Sequence, residues 1–205
     1  MMNAFIQSMQ FAHACKVFDE NKKIPKEDME AILEAGRLSP SSFGLEHTRI
    51  LLIKNQEVKE KIQPICWNQQ QITTCSDLII LKSKVRDIKA PSKYIEDSMS
   101  KRGLDFRYMD RLQAFQEDYF KDQRDYEAWS MKQAYIVASS MVNCAAFMGI
   151  DSCYMEGFRR EELENFLEID RKIERIALVL AFGYRINDQK PKYRISLEEF
   201  VEIIQ

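Results

Sequence analysis

Between Glu127 and Met148 the chain carries a helical pattern longer and more apolar than any other in it. Met131, Ala134, Ala138, Met141, Ala145 and Met148 recur at spacings of three and four, and Ile136, Val137, Val142 and Phe147 widen the apolar face. A helix so apolar and so rich in Ala and Ser has to be buried closely against other elements, with a partner subunit expected among them. Gly149 is placed to cap it.

Shorter elements alternate on either side. Residues 4–14 read as a helix, followed by a connector, Ala14 to Ile24, that ends in a charged loop. Pro25 to Leu38 is amphipathic: Pro25 suits a first turn, Glu27 and Asp28 sit at the positive end of the dipole, and Met29, Ile32, Leu33 and Gly36 mark the buried side. Ile50–Ile53, Asp77–Lys82 and Ala177–Tyr184 are short, nearly continuous apolar runs of strand type, as expected where both faces are covered. Val58–Ile65 reads as a helix closed by Pro64, Gln69–Ser76 as a polar helix, Asp151–Met155 as extended and Arg160–Leu167 as a helix. Leu197–Ile204 is a final apolar-faced segment. From about residue 84 to 126 the composition turns to mixed charge with aromatics (Tyr94, Phe106, Tyr108, Phe115, Tyr119, Phe120), the mark of a helical excursion with solvated faces. With no internal repeat, residues 1–205 are expected to form a single domain carrying that excursion.

The stretch Ser39-Pro40-Ser41-Ser42-Phe43-Gly44-Leu45-Glu46-His47-Thr48 joins a helix to a strand. Pro40 disfavours helical backbone at Ser39, and Gly44 permits a left-handed or sharply turned one. Between them lie two hydroxyls and a run of backbone N–H groups, which suits a loop that wraps a flat polar heterocycle. It equally suits an ordinary connector with good turn chemistry.

Composition narrows the classes. Thirty basic residues against 32 acidic ones leave no global attraction to nucleic acid or to an anionic membrane. The apolar runs are too short to span a bilayer, and Met1–Gln10 lacks the pattern of a secretory signal. Five scattered cysteines without a C-x-x-C point to reduced thiols and a cytoplasmic location. His13 and His47 are the only histidines and have no metal-ligand spacing, so no metal is expected. No Gly-x-Gly-x-x-Gly supports a Rossmann site, and Ser41 or Ser42 near His47 lacks the Gly-x-Ser-x-Gly elbow of a hydrolase.

Taken singly, the remaining candidates are modest. Lys192 and Arg194, preceded by Lys190, occupy alternate positions of an extended segment and so project to one side, where they can clamp a phosphate or simply be solvated. Glu156-Gly157 after a strand brings a backbone N–H towards a ligand or makes a turn, and His13 beside Lys16 is a cationic pair or a helix C-terminal cap.

Their order is more specific. Lys16-Val17-Phe18-Asp19, Arg37-Leu38-Ser39-Pro40-Ser41-Ser42, a strand, Trp67-Asn68, the long helix from Trp129-Ser130-Met131-Lys132-Gln133, Met155-Glu156-Gly157-Phe158 and Lys192-x-Arg194 follow one another over nearly the whole chain. In that sequence it resembles the FMN-dependent nitroreductase family, in the branch of oxygen-insensitive NAD(P)H nitroreductases and dihydropteridine-reductase-like enzymes.

The resemblance implies an α+β fold, a central mostly antiparallel sheet flanked by helices, and an intertwined homodimer with FMN between the subunits. It implies hydride transfer from NAD(P)H through flavin N5 to a small electron acceptor, a nitro compound or quinone, by a ping-pong mechanism. Lys16, Asn68 and the Gln71 position would face the flavin pyrimidine, Lys192 and Arg194 with His13 the phosphate. Pro40, Ser41, Ser42 and Gly44 would approach the ring from the other subunit. Met155, Glu156 and Gly157 would lie near N5, and Phe43, Trp67 and Phe115 would border the substrate pocket. Lys16 would stabilise negative charge developing near N1 and the C2 carbonyl.

The chain also departs from the family. Ala12 stands where a phosphate-binding Arg is usual, Ala14 where a Ser is usual, Gln71 where a Lys is usual, and Glu46-His47-Thr48 replaces Gln-Pro-Trp. These departures leave open a flavin-binding protein with little turnover, or another flavin reaction such as dehydrogenation or dehalogenation.

Overall fold

The computed structural model describes residues 3–205. Its centre is a sheet of Thr48–Ile53 (β1), Asp77–Lys84 (β2), Asp151–Met155 (β3) and Glu174–Gly183 (β4), in the order β1-β2-β4-β3 with every pair antiparallel. Leu78 and Ile80 of β2, with Val179 and Ala181 of β4, face one core. Ile79 and Leu81, with Leu178 and Leu180, face the other. Burial on both faces is why neither strand shows polar alternation.

Around the first core lie Gln56–Ile65 (α3), Gln71–Thr74 (α4) and Arg160–Phe166 (α8). Lys26–Arg37 (α2) and Gln123–Phe147 (α7) cover the second. The long helix begins at Gln123 rather than Glu127 because the Asp122 carboxylate caps it, accepting from the Arg124 N–H. Gly149, at φ 73°, lets the chain leave it and return into β3. A Cβ on Gly36 would stand 2.8 Å from Met141 Cγ, so this glycine sets how closely α2 and α7 approach.

Some boundaries differ from the sequence reading. The N-terminal helix, Ala4–Phe11 (α1), stops before residue 14 because the chain is extended at Ala12 and Ala14 then bridges to Ser152. Pro64 lies inside the last turn of α3, and the chain turns instead at Trp67 and Asn68, both left-handed. Between residues 69 and 76 only α4 is helical. The tail makes a single turn, Leu197–Phe200 (α9), closed by a Ser196/Glu199 capping box, and its apolar side chains are exposed.

Lys93–Arg102 (α5) and Phe106–Tyr119 (α6) enclose a third apolar cluster with Ile88, Ile95, Leu112, Leu45 and Trp129. That cluster joins the loop before β1 to the start of α7. No helix among the described residues is long and apolar enough to cross a membrane.

Candidate functional site

The connector after α1 runs beside β3, with Cys15 N donating to Ser152 O at 3.0 Å. Alternation along it buries Cys15 and turns Lys16 outward. Lys16 Nζ lies 3.7 Å from Cys153 Sγ, and Gln71 Nε2 lies 3.7 Å from the same sulfur. Gln71 also donates to Gln69 Oε1 at 3.0 Å, and Gln69 Nε2 in turn donates to the Gly157 carbonyl at 2.8 Å. Trp67 and Asn68 precede this pair with φ of 56° and 55°, a conformation costing roughly 1–2 kcal/mol per residue. The Trp67 ring lies over Gly157, where a Cβ would come within 2.7 Å of it. Lys16, Trp67, Gln71 and Gly157 therefore share one patch, with Asn68 and Glu156 next to it in the chain. Met155 sends its side chain into the first core, leaving its backbone as the part able to face a ligand.

The Glu156 carboxylate accepts the Tyr135 hydroxyl of α7. Burial, then that hydrogen bond and the charge of the carboxylate, push the Tyr135 phenol up to about 12, so it keeps its proton.

Beyond β3 lies a 280 Å³ cavity whose lining includes Ala12, His13, Ser152, Tyr154, Lys192 and Arg194. The alternate cations do project to one side. Lys192 Nζ donates to the carbonyls of Met9 and Ala12, and burial followed by Arg194 lowers its pKa. His13 is held below the ordinary imidazole range by burial and then by Arg185. Its Nδ1 is buried without a hydrogen bond and stands 3.6 Å from Asp151 Oδ1. Arg185 pairs with that same carboxylate at 2.5 Å, which commits it away from the cavity, so it does not replace the Arg missing at residue 12.

The loop of residues 39–48 is built differently. Pro40 is exposed and Ser41, Ser42, Phe43 and Gly44 are half-buried. Phe43, Gly44 and Glu46 take left-handed backbone at φ 54°, 62° and 49°. Ser41 Oγ accepts from Glu46 N at 2.9 Å, and Gln133 Oε1 accepts from Ser42 N at 2.8 Å. Tyr94 donates to Leu45 O at 2.7 Å and Arg49 to Glu46 O at 2.9 Å. The Phe43 ring meets Phe115 of α6 at 5.2 Å between centroids, whereas Trp67 belongs to the Lys16 patch.

His47 is wholly buried behind this loop. Its Nδ1 lies 3.2 Å from Ser130 Oγ and its ring packs edge-on to Trp129 at 4.5 Å. Burial lowers its pKa to about 4, so it is a neutral structural group with no hydroxyl of Ser41 or Ser42 to activate. All three residues of the unusual Glu46-His47-Thr48 run border a separate 320 Å³ cleft against α2.

One chain does not bring the two halves together. Gln133 and Ser140, seven residues apart on one face of α7, hold the loop through Ser42 N and the Ser39 hydroxyl. Tyr135, which holds Glu156, projects more than about 100° round the same helix. Sequence reasoning missed Cys153, Gln69, Tyr135, Arg102 and Tyr108. The one available hint was that Tyr135 falls off the apolar face of Ala134, Ala138 and Met141.

Comparison with known proteins identifies the family. Residues 10–184 match the Nitroreductase family. YfkO of Bacillus subtilis, provisionally named an NAD(P)H nitroreductase, is 34% identical over 96% of this chain and 96% of its own. The fold is shared with the crystal structure of B. subtilis ydfN, at a TM-score of 0.84 and 23% identity over 100% of both chains. It is shared also with an Exiguobacterium sibiricum nitroreductase-like protein solved in complex with FMN, at a TM-score of 0.80 and 22% identity over 98% of this chain and 97% of that one. The chain belongs to the nitroreductase family, an α+β fold of oxidoreductases.

Proposed function

We propose that this chain binds FMN as a homodimer and uses it to pass hydride from NAD(P)H to nitro compounds or quinones, the two substrates taking turns at one site. The observation that carries this reading is the convergence of Lys16 and Gln71 on Cys153, a weakly accepting thiol. The Lys16 ammonium, set against a thiol that accepts so weakly, is suited to the carbonyls and ring nitrogens of a flavin, and Gln71, already held by Gln69, orients the edge beside it. His13, Lys192 and Arg194, which line one cavity, supply a matching phosphate end. The donor set fits FMN. When bound, FMN supplies a ring that accepts and returns hydride at N5.

The residues do the rest. The Lys16 ammonium favours added negative charge on whatever lies against it. The Glu156–Tyr135 bond fixes the turn that carries Gly157, and the Trp67 ring covers Gly157 from above. Pro40, Ser41, Ser42 and Gly44 lie beyond α7, so they meet this patch only when a second copy supplies them. Exposed Phe5, Ile6, Ile136 and Phe147, with the apolar tail from Leu197 to Ile204, give that copy a surface to cover.

Absorption spectra of the FMN-loaded protein test the reading. NADPH or NADH is expected to bleach the flavin band without oxygen, and menadione or nitrofurazone to restore it. Loaded protein that NAD(P)H leaves coloured overturns the proposal. Sedimentation at micromolar concentration tests the dimer.

A further inference from the structure

Phe43 adopts a backbone conformation that bulky L-residues avoid, and two side chains of the helical excursion hold it there. Its carbonyl accepts from the Tyr108 hydroxyl at 2.6 Å and from Arg102 Nη1 at 3.0 Å, and the same Nη1 reaches the Gly44 carbonyl at 3.3 Å. The guanidinium lies flat against Gly44, where an added Cβ would stand 2.8 Å from Arg102 Nη2. Arg102 is the last residue of α5, and Gly103, left-handed at φ 62°, ends the helix immediately after it. The next two carbonyls, of Leu45 and Glu46, are held by Tyr94 and Arg49 instead, so dependence on Arg102 and Tyr108 is confined to Phe43 and Gly44.

The clamp decides where an aromatic ring stands. Held left-handed, Phe43 places its ring 5.2 Å from Phe115 and edge-on to Tyr108 at 6.0 Å. Phe115 continues the stack to Tyr119 at 5.0 Å, and Tyr119 is 69% exposed, so the pile opens to solvent along one edge. A wall of this kind recognises flat, electron-poor aromatic molecules by stacking.

We propose that Arg102 and Tyr108 are positioning residues for the electron acceptor: by capping the Phe43 carbonyl they fix the aromatic wall against which a planar acceptor lies. The proposal rests on the oxidoreductase reading above. Neither residue belongs to the Lys16 patch, so releasing the clamp is expected to change how flat molecules seat at the shared site, the acceptor among them, and to spare the rate of reduction at saturating NAD(P)H. Without the clamp Phe43 relaxes to ordinary backbone and its ring leaves Phe115.

FMN-loaded wild type, Arg102→Met, Arg102→Lys and Tyr108→Phe are to be compared in two arms. In hydrogen exchange, amides of residues 41–46 are expected to exchange on the order of tenfold faster in Arg102→Met and Tyr108→Phe, with α7 unchanged. In kinetics, Arg102→Met is expected to raise the KM for menadione and nitrofurazone unequally, on the order of tenfold for the worse affected, with kcat and the rate of bleaching at saturating NADPH preserved. Arg102→Lys, which keeps one donor, is expected to fall between. Unchanged exchange in both variants overturns the clamp. Faster exchange with an unaltered acceptor ratio overturns its role in acceptor positioning, as does a parallel fall of bleaching, turnover and melting temperature. If NADPH fails to bleach even the wild type, the oxidoreductase reading falls and the acceptor role with it, while the exchange arm still decides the clamp.

Discussion

In the loop of residues 39–48 the carbonyls of Phe43, Gly44, Leu45 and Glu46 all accept hydrogen bonds from side chains, most of them on the excursion. Around Lys16, by contrast, an ammonium and an amide face one thiol. Both regions are candidate ligand-facing surfaces, yet one is over-determined and the other underused. An ammonium set against a weakly accepting thiol marks a receptor, and a strained but fully bonded loop marks a preformed wall. Energy spent inside the molecule separates the two more clearly than residue type does.

That contrast can be broken by experiment. The largest effect is expected at the cationic rim: with two charge-assisted bonds removed, Lys192→Gln with Arg194→Gln should weaken FMN binding on the order of a thousandfold, measured by quenching of flavin fluorescence. Unchanged affinity would remove the rim from the receptor.

Next comes His47, which supports the loop from behind. Above pH 6.5 it is neutral folded or unfolded; between 6.5 and about 4 the unfolded chain binds a proton that the folded chain does not. Stability therefore rises with pH across that window and is lost as pH falls, by up to about 3 kcal/mol for this group. His13, held low by burial and Arg185, acts in the same direction. The difference in urea midpoint between neutral and mildly acidic buffer should be smaller in His47→Phe than in wild type. Equal pH dependence would show that the imidazole is not buried neutral.

Lys16→Met sharpens the other side. The side chain is exposed and has no strong partner, so the urea midpoint should stay put while bleaching by NADPH slows by about tenfold to a hundredfold. A variant that loses stability without losing reactivity would make Lys16 scaffold rather than receptor. The smallest effect is at Gly44→Ala, where positive φ and the nearby Arg102 guanidinium predict a loss of about 1–2 kcal/mol in chemical denaturation. A neutral result would mean that the loop is less tightly held than its hydrogen bonds imply.

Much of the fold was legible in the residues. Apolar spacing placed the long helix to within a few residues at its start, and the continuous runs of β2 and β4 announced strands covered on both faces. The candidate site was legible in parts. Lys16 and Gln71 meet at Cys153, Gln69 ties Gln71 to Gly157, and Lys192 and Arg194 share a cavity lining. Hidden from the sequence were their intermediaries. Cys153 looked like one more scattered thiol, nothing in the pattern pairs Arg185 with Asp151, and His47 gave no sign of how deeply it is buried.

The sequence by itself determined the principal helices and strands, where Gly44 and Gly149 turn the chain, and which cations lie on one side of the tail. These follow from backbone sterics and from side-chain periodicity, both of which act over a few residues. Only the tertiary structure decided that α7 stands between the two halves of the site and that Arg102 and Tyr108 govern Phe43. The partners involved lie 59 and 65 positions apart, and a periodic pattern records how deeply a side chain is buried without recording what it meets there.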